Sequence, residues 1–249
     1  RNESSKKATN TANIWKLSLI NIVQWFLIII AIIVPYYQSR GLSMSEIFLL
    51  QSIFSLSIVV FEIPSGYFAD VVWRKNSLIL GCTLAFLGFL LYTFATGFWW
   101  FLAAEMILGF GSSFISWADS ALLYDTLVEL DREGEYKKVE GRIAAFWNFS
   151  EAAASLAGWL LALISLQAPF IAQAFIYFLA IPLVLSIHEP ASHKLDNKEG
   201  AFAGILKIVK YSLYHHAETK WLIIYSWIIG ASTLTLVWFI QPYFKLSWL

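Results

Sequence analysis

Uninterrupted apolar runs, each long enough to cross a bilayer, constrain this chain more than any other feature. Phe26-Leu27-Ile28-Ile29-Ile30-Ala31-Ile32-Ile33 belongs to one of them. It lacks the polar–apolar alternation that a barrel strand needs, so it reads as helix. A hydrocarbon core of about 30 Å requires about 20 apolar residues per helix. Seven stretches meet that demand, over residues 14–37, 46–69, 77–96, 99–122, 143–165, 168–188 and 221–244. The first is too long for a signal peptide, lacks a small-residue cleavage site and leads into further spans.

Composition agrees. Of the 249 residues, 59% are hydrophobic and 14% charged. Soluble domains carry about 25% charged residues, so a water-soluble globule is excluded. Seventeen basic and seventeen acidic residues cancel, and no basic patch offers a surface to nucleic acid. The single cysteine, Cys82, permits no internal disulfide and no cysteine metal cluster. It reads as a small packing residue in an apolar helix. No cofactor or metal is called for.

Orientation follows from the cations. All but Arg40 and Lys245 of the seventeen fall before or at the start of span 1, or between spans 2 and 3, 4 and 5, or 6 and 7. The positive-inside rule then places the N-terminus in the cytoplasm. Trp15, Trp99, Trp100, Trp221 and Trp248 fall near the expected membrane faces, as an aromatic belt requires. The resulting layout is a cytoplasmic tail (1–13), a six-helix bundle (14–188), a cytoplasmic linker (189–220) and a seventh span (221–249). Within the linker, Phe202, Ile205, Leu206, Val209 and Leu213 recur at helical spacing with Lys207 and Lys210 between them. That pattern predicts an amphipathic helix lying on the membrane surface. His215 and His216 are adjacent and point different ways on a helix, so they read as a surface pair rather than a metal site.

Span 1 ends Pro35-Tyr36-Tyr37 and span 7 ends Pro242-Tyr243-Phe244. Matching triplets at matching depth suggest a duplicated unit that starts again at span 7. Transporters are commonly built from such repeats, with the solute site near the midplane. After span 2 the chain reads Gly66-Tyr67-Phe68-Ala69-Asp70-Val71-Val72-Trp73-Arg74-Lys75. This resembles the signature cytoplasmic loop of the major facilitator superfamily. Gly66, Asp70, Arg74 and Lys75 match the pattern, and Trp73 replaces its second glycine. The lead-in Phe61-Glu62-Ile63-Pro64-Ser65 and the stretch Ala121-Leu122-Leu123-Tyr124-Asp125-Thr126-Leu127 resemble a bacterial branch of the same superfamily. Many of its carriers place an arginine four residues before a Gly-x-Gly; here Glu105 precedes Gly109-Phe110-Gly111. The resemblance implies an all-α integral membrane fold: a six-helix N-terminal bundle plus the first helix of a second, incomplete one. It also implies that a C-terminal half of the same chain is missing, and that the chain sits in a plasma membrane, expected to be a bacterial inner membrane.

Ionisable side chains inside a bilayer are functional candidates by default. Glu105, Glu62, Asp119 and Glu151 qualify as proton-coupling groups. At 1.5 Å per residue, Glu105 lies about 9 Å below the outer end of span 4. It is either a group that takes up and releases a proton or a carboxylate hydrogen-bonded to a neighbouring helix. Asn21, Gln24 and Trp25 sit at midspan in span 1 and, with Glu105, are candidates for a solute cavity. The resemblance implies that role for the first helix, and helix packing explains the amides equally well. Gly66, Asp70, Arg74, Lys75, Asp125 and Arg142 form the cytoplasmic loop and a candidate ion-pair gate. Gly81-x-x-x-Ala85 and Ala154-x-x-x-Gly158 read as packing stripes.

Together these features predict a secondary transporter of a small organic solute, driven by protons and working as an exporter by antiport. An uptake carrier of the same fold is the alternative. A seven-helix receptor would place the N-terminus outside, against the charge bias. A membrane enzyme would need a catalytic motif such as His-Glu-x-x-His or Gly-x-Ser-x-Gly, and the chain has neither.

Overall fold

The computed structural model describes residues 3–72, 74–190 and 217–247. Those residues are helical throughout, apart from short connections. α1 spans Glu3–Trp25, α2 Ile33–Ser39, α3 Met44–Val72, α4 Arg74–Phe94, α5 Phe98–Glu129, α6 Tyr136–Ala162, α7 Ala168–Leu185 and α8 Ala217–Ser247. A 3₁₀ turn at Glu133–Glu135 leads into α6. The chain divides into one compact unit over Arg1–Lys194 and a second over Leu195–Leu249.

Among the described residues, five helical segments are long and apolar enough to cross a membrane: Met44–Glu62, Arg74–Phe94, Phe98–Glu129, Ala168–Leu185 and Glu218–Gln241. α6 is less apolar because Lys137, Lys138, Glu140, Arg142 and Glu151 lie in its first sixteen residues. The first expected span is two helices rather than one. α1 stops at Trp25, residues 26–32 form turns, and α2 starts at Ile33. Pro35 explains part of this, since its ring would clash with the carbonyl of Ala31 in a continuous helix. In the first turn of α2 its missing N–H costs nothing. The isoleucines at 28, 29, 30, 32 and 33 add little helix propensity to oppose the break.

The loop expected over 66–75 is also mostly helix. α3 continues through Gly66 and Asp70 to Val72, and α4 begins at Arg74. Apolar residues and alanine fill that stretch, so nothing stops the helix before the cations. The α4–α5 and α6–α7 connections are tight as expected. Gly97 has φ +76°, a left-handed conformation that suits glycine, and ends the α4–α5 turn. Gln167, between α6 and α7, donates to the Thr93 carbonyl at 2.5 Å. Trp15, Trp99, Trp100 and Trp221 are exposed, while Trp248 lies outside the described residues. The linker helix over 202–213 and the pair His215–His216 also lie outside them.

α5 is the central strut of the first unit, packing against both α3 and α4. Small residues allow this. A Cβ on Gly81 would meet the Gly111 carbonyl at 2.9 Å, and one on Gly109 would meet the Phe54 carbonyl at 3.0 Å. Ser65 and Ser77 donate to the Ser113 and Phe114 carbonyls at 2.9 and 3.1 Å. Such interhelical bonds contribute about 0.6 kcal/mol each in membranes. Gly81→Val should therefore force α4 from α5 and cost about 2 kcal/mol. Thermal unfolding in detergent measures this as a lowered midpoint; an unchanged midpoint would contradict the packing.

Candidate functional site

Among the described residues of the first unit, two polar clusters hold most of the candidate ionisable groups. One lies toward the α4–α5 turn and centres on Glu105 of α5. This residue is 3% exposed. Tyr37 of α2 and Tyr92 of α4 both approach its Oε1, at 2.6 and 2.5 Å, and Gln51 of α3 donates to the same oxygen at 2.5 Å. Tyr37 and Tyr92 also touch each other through their hydroxyls. Four separate helices thus converge on one carboxyl group.

An aromatic wall encloses it. Tyr92 stacks on Phe170 with ring centroids 5.4 Å apart, and Phe101 meets Tyr37 edge-on at 4.9 Å. Tyr36 stacks on Phe170 at 4.0 Å and donates to the Tyr92 carbonyl at 2.9 Å. Arg40 lies over the outer face of Tyr36, 5.3 Å from the ring centre.

The hydrogens around Glu105 can be counted. Three oxygens make three mutual contacts: Tyr37 with Tyr92, Tyr37 with Glu105, and Tyr92 with Glu105. Each phenol brings one hydrogen. An ionised Glu105 leaves two hydrogens for three contacts, and one oxygen pair then meets lone pair to lone pair. With both phenols donating to Oε1, the contact between them has no hydrogen; a hydrogen on Oε1 would complete the ring by reversing one tyrosine–carboxyl bond, with Gln51 still donating to the same oxygen.

The second cluster lies toward the α3–α4 connection. Arg74, the first residue of α4, pairs through Nη1 with Asp125 of α5 and donates to the Ala121 carbonyl at 3.1 Å. An open cavity of about 570 Å³ borders this pair, lined by Glu62, Ser116, Ser120, Tyr124 and Tyr136 among others. The end of α7 is stitched to the same corner. Glu189 accepts from the backbone N–H of Arg74 at 3.0 Å and of Lys75 at 2.8 Å, capping α4. Burial pushes the Glu189 carboxyl above its usual range, and those two backbone bonds oppose the shift. Lys75 Nζ reaches the Leu185 and Ile187 carbonyls, each at 2.7 Å.

Between the clusters, Asn21 of α1 donates to Asp119 of α5 at 3.0 Å. Trp25 packs on Trp147 of α6 with centroids 4.0 Å apart. Gln24 is 9% exposed. Arg142 is exposed on α6, Glu151 is half-buried further along it, and Gly66 lies within α3. The side chain of Asp70 is not among those described. The structure brings Arg74, Asp125 and Glu62 around one cavity and Asn21 onto Asp119, while Glu105 stands apart with partners of its own. Sequence reasoning did not find Gln51, Tyr37 or Tyr92. The available signals were a lone amide in the apolar run of α3 and the second tyrosine of the Pro35 triplet. Among the described residues no group of three His, Cys, Asp or Glu side chains is arranged to hold a metal ion.

The sequence profile of the Major Facilitator Superfamily matches residues 14–248. Comparison with individually characterised proteins gives no match.

Proposed function

The chain belongs to the Major Facilitator Superfamily, and on that premise we propose that it exports a small organic solute in exchange for protons, with Glu105 as the proton-binding group. Members of this superfamily are multi-pass secondary transporters rather than enzymes. The closed ring of Glu105, Tyr37 and Tyr92 carries the proposal, because it has a place for one proton and loses a bond when that proton leaves. A carboxyl whose partners come from α2, α3 and α4 ties its protonation to how those helices are arranged. That is the requirement for coupling a proton to alternating access.

Asn21, Gln24 and Trp25, with Asp119 and Trp147, form the wall that meets the solute. The Trp25–Trp147 pair suits a flat or amphipathic compound. The Arg74–Asp125 pair and Glu62 close the cytoplasmic end. The distribution of lysine and arginine supports a cytoplasmic N-terminus, with a plasma membrane as the proposed location. Glu62, Asp119 and Glu151 are the alternative proton sites.

Proteoliposomes of the full-length protein test the coupling. With a solute gradient imposed and no pH gradient, a lumenal pH dye should report proton movement opposite to the solute. Solute movement without any pH change would contradict the proposal.

A further inference from the structure

The break in the first span has a specific chemistry. In a continuous helix the Ile28 N–H would bond to the Gln24 carbonyl, four residues earlier. Here both ends of that missing bond are held by one face of α7. Ile28 N–H donates to Gln173 Oε1 at 2.8 Å, and Tyr177 donates its hydroxyl to the Gln24 carbonyl at 3.3 Å. Gln173 and Tyr177 are four residues apart, so they stand one above the other on α7. Side chains inserted into the i→i−4 ladder are a recognised cause of helix interruption. Backbone freed inside a membrane protein must be satisfied by such partners.

Two further observations mark the break as built into the fold. The Ile28 carbonyl is pressed onto Gly158 of α6, where a Cβ would lie 1.8 Å from its oxygen. Any other residue at 158 would displace it. Gln173 is 0% exposed, and its Nε2, like that of Gln24, is buried without a hydrogen-bond partner. The Ile28 N–H holds Gln173 in this orientation, because a flipped amide would set donor against donor. The clasped arrangement therefore leaves buried donors unmatched. The single Ile28 hydrogen goes either to Gln173 or to Gln24, which defines two discrete states.

α2 follows the break and carries Tyr37 to Glu105. We infer that Gln173, Tyr177 and Gly158 are positioning residues that hold the first span broken, so that Tyr37 closes the hydrogen-bonded ring on Glu105. When the clasp releases and the Ile28 N–H returns to the Gln24 carbonyl, α1 gains about one turn while the break before Pro35 remains, and α2 turns with it so that Tyr37 leaves the ring. The inference rests on the proton-coupling reading of Glu105.

Gln173→Leu removes the acceptor at similar volume, and Gln173→Glu keeps it. The full-length protein in liposomes gives two readouts, the infrared carboxyl band of Glu105 and the pH profile of solute transport. In Gln173→Leu the Glu105 band should shift from its wild-type position. The proton concentration at half-maximal rate should change about tenfold, the equivalent of one lost hydrogen bond. Gln173→Glu should restore both. A folded Gln173→Leu protein with an unmoved band and an unmoved profile would overturn the inference, even if its thermal stability fell. Should Gln173→Leu not fold, Tyr177→Phe removes only a hydroxyl and should move the same readouts in the same direction; no movement there would equally overturn it. If Glu105→Gln leaves the pH profile intact, the proton-coupling reading fails. The band in Gln173→Leu, assigned by its loss in the Glu105→Gln double variant, still decides the clasp.

Discussion

Glu105→Gln should bind solute as the parent protein does, yet transport driven by a pH gradient should fall to background. Glutamine keeps the size of the side chain and accepts from Tyr37 and Tyr92 through its oxygen, but that oxygen carries no hydrogen, so the Tyr37–Tyr92 contact is left without one. The enclosure by Tyr92, Phe101 and Phe170 survives. The exchangeable proton and one bond of the ring are what is lost. Solute titration and gradient-driven flux, measured on the same preparation, separate the two effects. Flux that keeps its dependence on pH would make Glu105 a structural carboxyl and move the coupling to Glu62, Asp119 or Glu151. Glu105→Leu is expected to be worse in a different way. It leaves Tyr37, Tyr92 and Gln51 without their shared acceptor, and each unmatched buried group costs about 1–3 kcal/mol.

Breaking the Arg74–Asp125 pair should have the second large effect. Each side chain is less than a fifth exposed, and the guanidinium also binds the Ala121 carbonyl. Removing one partner strands a poorly hydrated charge, so Arg74→Ala should cost about 3 kcal/mol. The double variant Arg74→Ala, Asp125→Ala should recover part of that loss, because no stranded carboxylate remains. If the pair is a gate, Arg74→Ala also widens the open cavity beside Tyr124. A cysteine at Ser120 should then react faster with a thiol reagent applied from the cytoplasmic side. Equal stability and equal reactivity in the single and double variants would show that the pair closes nothing.

Much of this architecture was legible because apolar run length is a strong signal. α3, α4, α5, α7 and α8 follow the expected spans closely. The small-residue stripe of Gly81 and Ala85 on α4 was legible as packing, since close helix approach needs small residues. The break in the first span was not. Its cause is split between Pro35, visible in the sequence, and Gln173 and Tyr177 on a helix nearly 150 residues away, which only tertiary structure brings to it. Gly158 was read correctly as a close-approach residue, but its partner is a carbonyl of that break rather than a helix face. Glu105 stood out by chemistry and depth alone. Its partners did not, because tyrosines in an aromatic-rich membrane protein carry no signal until their hydroxyls are placed. The helical continuation of α3 past Gly66 was hidden by the family pattern, which led to the expectation of a turn there.

The central claim is that Glu105 carries the third hydrogen of its ring. Infrared difference spectroscopy of the protein in lipid, with Glu105→Gln as the reference, reads that hydrogen directly. At neutral pH the account predicts one protonated carboxyl band that is present in the parent protein and absent from the variant. The band should move when Tyr37→Phe or Tyr92→Phe removes a ring partner. A difference spectrum showing an ionised carboxylate in place of that band would contradict the account.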